Sequence, residues 1–298
     1  MYFTKRILAL VLAVIFSFGA VSVTAFVGLL PAAAEGESTL GASAACTGHT
    51  LGTFSDLPAC VNSAGELHIC ANNFPDVKFR RTIALSYEYV NDGDYLNVAQ
   101  TKELNKIRCT AGSGILWIEG IEFFSNLSVL ICSGNYISKI DLSRNTMLTE
   151  LDCSENFITS LDVSNNIRIT KLRCGTNRIK TLNLNRNTIL KSLDCSDNRL
   201  SKLDLSNNEK LESLNCAANQ LTALDVSHNR ELKILDCGWK ISGYSNSNEL
   251  ISNNIEVLNV TNNPKIEYLD CEYNELTVLN TSNNAELKVL KCSGNNII

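Results

Sequence analysis

The residues in this chain best able to do chemistry are its cysteines, and they recur on a fixed count. Cys132, Cys153, Cys174, Cys195, Cys216 and Cys237 follow one another every 21 residues. Cys271 and Cys292 repeat that spacing after a gap of 34, and Cys109 stands 23 residues before Cys132. A thiol can cross-link, hold a metal or act as a nucleophile, and each use needs a partner close by. Metal capture is disfavoured, because the chain contains no C-x-x-C or H-E-x-x-H spacing and a single column supplies no tetrahedral set. Nucleophilic catalysis lacks its base: the three histidines, His49, His68 and His228, lie far apart, and His228 occupies a turn position of the repeat. The segment "AGSGI" at 111–115 lacks the G-x-S-x-G spacing, and no phosphate-binding or dinucleotide motif is present. The inventory predicts no enzyme, no cofactor and no metal.

What positions the cysteines is a repeat. The copy at 148–168 reads "LTELDCSENFITSLDVSNNIR", within the pattern L-x-x-L-D-C-S-x-N-x-L-x-x-L-D-V-S-x-N. A unit this short cannot bury its apolar side alone, so successive units must stack as coils, about 4.8 Å apart as in a parallel sheet. Residues then act as columns. Leu130, Leu151, Leu172, Leu193, Leu214, Leu235, Leu269 and Leu290 make one inward column, and Ile137, Ile158, Ile179, Leu200, Leu221, Ile255, Leu276 and Ile297 a second. The cysteine also alternates inward. In-register side chains run parallel about 4.8 Å apart, whereas a disulfide wants converging Cβ atoms roughly 3.5–4.5 Å apart. The ladder of Cys109, Cys132, Cys153, Cys174, Cys195, Cys216, Cys237, Cys271 and Cys292 is therefore expected to be reduced core packing. Two asparagine columns, Asn135 to Asn295 and Asn145 to Asn284, are expected to satisfy buried backbone at the two turns. The aspartates at Asp152, Asp194, Asp236 and Asp270 read as solvation of an open sheet face.

This unit is the leucine-rich-repeat signature, and residues 104–298 resemble the bacterial internalin-type proteins with cysteine-ladder repeats. The expected fold is an α/β solenoid of about nine coils, a horseshoe with a parallel β-sheet on its concave face and a short helical N-terminal cap. The segment from "ANNFPDVKFRR" to "LNKI" resembles the cap that opens such proteins, where a loop often reads like a calcium-binding hand. Here Asn91, Asp92 and Asp94 match it, while Gln100 stands where the bidentate glutamate would be. Calcium needs that acid count, so no metal is expected there.

Three segments result: 1–34, 35–103 with the remaining cysteines and the cap, and 104–298. Lys5 and Arg6 precede an apolar run from Ile7 to Leu30, followed by Pro31 and three alanines. That pattern is a secretory signal cut after Ala34, or an anchor that stays in the membrane, and either exports the body. A secreted or cell-surface bacterial protein is expected. Cys46, Cys60 and Cys70 lie outside the ladder, and Cys46–Cys60 is the pairing favoured by spacing. A net charge of -5 gives no reason to expect nucleic acid.

Recognition belongs on the outward sheet face. Early coils place Glu150 and Asp152 beside Lys171 and Arg173. The 13-residue excess between Cys237 and Cys271 places an insertion, "GWKISGYSNSNELIS", at 238–252. It carries Trp239 and Tyr244, and the next strand adds Tyr268, Asp270, Glu272 and Tyr273. Tryptophan and tyrosine are frequent interface anchors, although Trp239 folding back over the local gap is the competing expectation. The expected function is a non-enzymatic exported scaffold, adhesin- or adaptor-like, taking a protein or surface glycan on the concave face. The alternative is a structural envelope component that self-associates through its uncapped C-terminal repeat.

Overall fold

The computed structural model describes residues 50–54, 57–241 and 250–298. The signal or anchor, Cys46 and Tyr244 lie outside them. Among the described residues no helix is long and apolar enough to cross a membrane.

Before the repeats stands a small mixed unit. Strands β1 (Thr50–Phe54), β2 (Leu57–Val61), β3 (Leu67–His68) and β4 (Tyr95–Leu96) pair antiparallel in that order. Two of these strands are only two residues long, too short to carry an alternating pattern. Helix α1 (Val77–Leu85) begins at Asp76, whose Oδ1 accepts the Lys78 and Phe79 N–H groups at 2.8 and 3.0 Å. It buries Phe79, Ile83 and Ala84. Helix α2 (Val98–Glu103) opens with a capping box between Asn97 and Gln100. The loop between them is held by its own side chains. Asp92 pairs with Arg80 at 2.8 Å, and Asp94 accepts the Asn91 N–H at 2.6 Å. Gln100, at the expected glutamate position, closes the helix cap instead. Among the described residues no three His, Cys, Asp or Glu side chains converge as metal ligands.

This unit is tied to the first coil at two points. The second oxygen of Asp76 accepts the N–H groups of Leu116 and Trp117 at 2.7 and 3.3 Å. Phe74, fully buried, packs against Phe79, Phe123 and Phe124 with ring centroids 5.9–6.4 Å apart. Gly120, at φ 97°, lets that ring in, since a Cβ there would lie 2.3 Å from it.

The repeats form a parallel-sheet solenoid. Its main sheet runs β5 (Lys106–Arg108), β6 (Val129–Ile131), β7 (Glu150–Asp152), β8 (Lys171–Arg173), β9 (Ser192–Asp194) and β10 (Ser213–Asn215). The strand β11 (Ala223–Asp225) lies on another side of its coil, and the main sheet continues through β12 (Ile234–Asp236). A hairpin of β13 (Lys240–Ile241) and β14 (Leu250–Ile251) forms the stem of the insertion. Then β15 (Val257–Asn259) pairs with β11, and β16 (Tyr268–Asp270) and β17 (Val289–Lys291) complete the main sheet. Register is exact in column: Leu151 faces Leu172, Leu214 faces Leu235, and Leu235 faces Leu269 across the insertion. Both α-helices lie outside the repeats, and the first coil holds a short 3-10 turn at Ile121–Phe123.

Both apolar columns are fully buried until the last coil, where Leu290 and Ile297 are exposed. The ladder cysteines are free thiols, buried except for half-exposed Cys292. Cys60 is likewise a free thiol, so the Cys46–Cys60 pairing has no support from its described member. In the first asparagine column each amide does three jobs. Asn177, for example, accepts the Ile158 N–H at 2.9 Å and donates to the carbonyls of Cys153 and Cys174 at 3.0 and 3.1 Å. Where the insertion leaves the coil, Asn253 fills that place, binding the Leu221 N–H and the carbonyls of Cys216 and Cys237. The second column donates only. Asn166 gives both amide hydrogens to Leu142 and Asn145, and its Oδ1 is buried with no donor, as in Asn145 through Asn284 of that column.

Candidate functional site

From β6 to β16 each main-sheet strand sends its first and third residues outward, with the leucine between them buried. Two groups of outward side chains match the expectations, one early and one late.

In the early coils Lys171 bonds Glu150 at 2.9 Å, and Arg173 lies 3.7 Å from Glu150 and 3.8 Å from Asp152. The Lys171 hydrogen bond, and then the charges of Lys171 and Arg173, hold the Glu150 carboxyl below its usual range. These side chains are largely solvated, where an ion pair contributes about 0–1 kcal/mol. Opposite charges one coil apart neutralise each other, so the early face is a patch of compensated charge.

The aspartate column does more than solvate the sheet. Asp152 Oδ1 accepts both the N–H and the hydroxyl of Ser154, at 3.2 and 2.6 Å, and Asp194 does the same with Ser196. Asp236 and Asp270 accept the N–H two residues on, from Gly238 and Glu272. These are Asx turns, which bend the chain out of the strand. The next residue is left-handed in coil after coil: Glu155, Thr176, Asp197, Ala218 and Tyr273 have φ of 50–54°. Asp270 is only 7% exposed, a position solvation alone does not explain.

The late coils bring the expected aromatic residues together. Trp239, half-buried, packs edge-on against Tyr273 with centroids 5.3 Å apart, and its indole N–H donates to Glu272 at 3.2 Å. The left-handed backbone at Tyr273 lays its ring over Gly294, where a Cβ would come within 2.8 Å. At the start of β16, Tyr268 donates its hydroxyl to Asp270 at 3.1 Å. Lys291 pairs with the same carboxylate at 3.1 Å and sits 5.4 Å above the Tyr268 ring. Hydrogen bonding to Tyr268, and next to Asp270, pushes the Lys291 pKa upward. Burial raises the carboxyl of Asp236, and the neighbouring Asp270 charge adds to it.

Two lysines that the sequence did not mark shape this region. Lys291 is one. The other is Lys240, at the stem of the insertion, whose Nζ bonds Ser196 Oγ at 2.5 Å. It reaches past the intervening coil, whose Ala217 and Ala218 have no exposed surface. That coil reads "CAAN" where its neighbours read "CSEN", "CGTN" and "CSDN", and the small pair was the available signal. The stem is thus anchored both ways, by Lys240 toward earlier coils and by Trp239 toward later ones. Trp239 does fold back onto the array, and it keeps part of its surface open.

No family model matches the chain. No curated protein matches it. Solved structures do. The functional domain of InlJ from Listeria monocytogenes, which includes a cysteine ladder, is 31% identical, covering 78% of this chain and 53% of that one, with a TM-score of 0.63. The chain thus spans about half the length of the InlJ domain it matches. Internalin C2 from L. monocytogenes is 19% identical over 76% of this chain and 96% of its own, with a TM-score of 0.65. Internalin F from the same species is 23% identical over 82% and 81%, with a TM-score of 0.51. At those identities the last two speak for the fold alone. With its 21-residue period and its column of buried thiols set beside these likenesses, the chain is a leucine-rich-repeat solenoid with a cysteine ladder, similar to the internalins.

Proposed function

We propose that this protein is a non-enzymatic, exported recognition scaffold, adhesin- or adaptor-like, that takes a protein or surface-glycan partner on the outward sheet face of its late coils. Solenoids of this kind present side chains in rows on an extended concave surface, the part of the fold that is free to vary. The observation that carries the reading is the convergence of Trp239, Tyr268, Asp270, Glu272 and Tyr273 with Lys291 at the root of the insertion. Aromatic side chains held by a second shell of hydrogen bonds are pre-ordered anchors, so less entropy is lost when a partner docks. Catalysis has no comparable support, because the carboxylates nearby are engaged in Asx turns and the thiols are buried.

The test is binding of the purified chain to a panel of bacterial and host cell surfaces, surface proteins and glycans. It runs beside a Trp239→Ala/Tyr273→Ala variant whose melting curve is checked. Loss of binding, by at least about tenfold or 1.4 kcal/mol, is the expected result. Equal binding by both proteins moves the site to Glu150, Lys171 and Arg173. Binding by neither, with reversible self-association in sedimentation, favours a structural envelope component.

A further inference from the structure

A second surface stands out on the flank of the solenoid, away from the outward sheet face. The residue after each first-column asparagine forms its own column: Tyr136, Phe157, Arg178 and Arg199. Their backbone N–H groups each bond the coil before, at 2.9 Å. Gly114 holds the same place in the first coil, where Ile115 matches Ile137, and Gln220, Asn254, Glu275 and Asn296 follow them. The column therefore changes character along the molecule, from aromatic to basic, and then to neutral and acidic.

Its first half is built. Tyr136 and Phe157 stack with centroids 5.8 Å apart and planes at 17°, and the Arg178 guanidinium lies 4.7 Å over the Phe157 ring. Stacked this way, the rings and the guanidinium turn their edges outward, and the guanidinium edge is a row of N–H donors. Tyr136 is 45% exposed. Lys180 and Lys202 extend the basic end, exposed beside Arg178 and Arg199.

The basic end of the column carries no ion pair among the described residues, as is also true of Lys106, Arg108, Arg144 and Arg168. On the sheet face Glu150 answers Lys171, and on the strand-entry flank Glu212 bridges Lys191 and Lys233 at 3.4 and 2.9 Å. Among the described residues, none of Arg178, Lys180, Arg199 and Lys202 makes an ion pair. Asp162 and Asp204 line one hollow with Lys180 and Lys202, and buried Asp197 is engaged with Thr176. In a chain of net charge -5, a free basic strip continuous with exposed apolar surface calls for an anionic, partly apolar partner.

The geometry points to this flank as a docking surface for an extended acidic–apolar peptide segment of a partner protein. The apolar end of the segment lies along Tyr136 and Phe157, and its carboxylates meet Arg178 and Arg199. Guanidinium forks match carboxylates in pairs. Three coil steps of about 4.8 Å give a run of roughly 14 Å, the length of about four extended residues. The exposed apolar end favours a peptide over a sugar or phosphate polymer, which has nothing to bury there.

The experiment is fluorescence anisotropy on the full chain. The probe is a labelled ten-residue peptide, half leucine and phenylalanine, half aspartate and glutamate. A copy with lysine replacing the acids, and inorganic polyphosphate, serve as controls. Binding of the acidic peptide should weaken with salt and fall at least about tenfold in Arg178→Glu/Arg199→Glu. Because Arg178 also covers Phe157, Arg199→Glu alone is the second variant, exposed and free of ion pairs, and it should weaken binding in the same direction. Four results overturn the proposal: no binding of the acidic peptide, equal binding of the lysine peptide, unchanged binding by both variants, or polyphosphate binding in place of the peptide.

Discussion

A buried thiol is a neutral group held in a place where its anion is unwelcome, and in this molecule that condition repeats coil after coil. Burial raises the thiols of Cys109, Cys153 and Cys271 to about 12 from an ordinary 9.0, and pushes Cys132, Cys174, Cys216 and Cys237 up as well. The same effect makes them poor nucleophiles and poor metal ligands, both of which need the thiolate. In the unfolded chain these thiols ionise near 9, while in the folded chain they stay protonated. Their contribution to stability is complete below about pH 9 and is lost as pH rises from there toward about 12. Each thiol costs about 1.4 kcal/mol of stability per pH unit in that window, and the ladder sums over its coils. The urea midpoint should therefore be flat in thiol terms up to pH 8.5 and then fall steeply. Replacing Cys153 and Cys174 with Ala should flatten the alkaline limb, at a lower starting stability. An alkaline limb of unchanged slope in that variant would show that the thiols do not control it.

At the scale of elements, the joint between the N-terminal unit and the first coil rests on Asp76. One carboxylate caps α1 and receives two N–H groups of the coil, all in a site 6% exposed. Losing the cap costs about 1 kcal/mol, and leaving buried N–H groups unmet costs about 1–3 kcal/mol more. Asp76→Ala should thus destabilise by about 3 kcal/mol and speed amide exchange in α1 and at Leu116, while β8 to β10 keep their protection. Uniform loss across the solenoid would sink the idea of a local joint. The residue types alone did not mark Asp76, because its partners lie 40 residues away. Repetition, by contrast, made the columns plain: eight copies of a leucine vote for one inward face. The aspartate column was placed correctly in the outward row but assigned the wrong main job, since solvation and an Asx turn call for the same side chain. Lys240 was overlooked for the opposite reason, being a single residue with no equivalent in other coils. The antiparallel sheet β1–β4 went unread because its short strands carry no period.

At the scale of the whole molecule, each coil packs its core only on its neighbours, so stability is a chain of interfaces and a break in one link stays local. The insertion is the place where that chain is most exposed to failure. Between Cys237 and Cys271 the period is interrupted, yet Leu235 still faces Leu214 and Leu269. What carries the ladder across is Asn253, fully buried, holding a Leu221 N–H and the carbonyls of two successive cysteines. Asn253→Ala removes three bonds and leaves backbone groups unmet, a cost of several times the 1–3 kcal/mol typical of one such group. In a solenoid that loss is not spread over all coils. It separates the block from β5 to β10 from the block of β16 and β17, and the C-terminal block, with fewer coils behind it, should open first. Hydrogen exchange read by mass spectrometry should show peptides spanning 255–298 losing protection by at least about a hundredfold, about 2.7 kcal/mol, while those spanning 106–200 hold theirs. The aromatic group at Trp239 and Tyr273 straddles that link, so the variant should also lose whatever binds there while sparing the flank at Arg178 and Arg199. Protection lost equally at both ends would mean that the array unfolds as one cooperative body, and that the insertion is an ordinary loop on a continuous core.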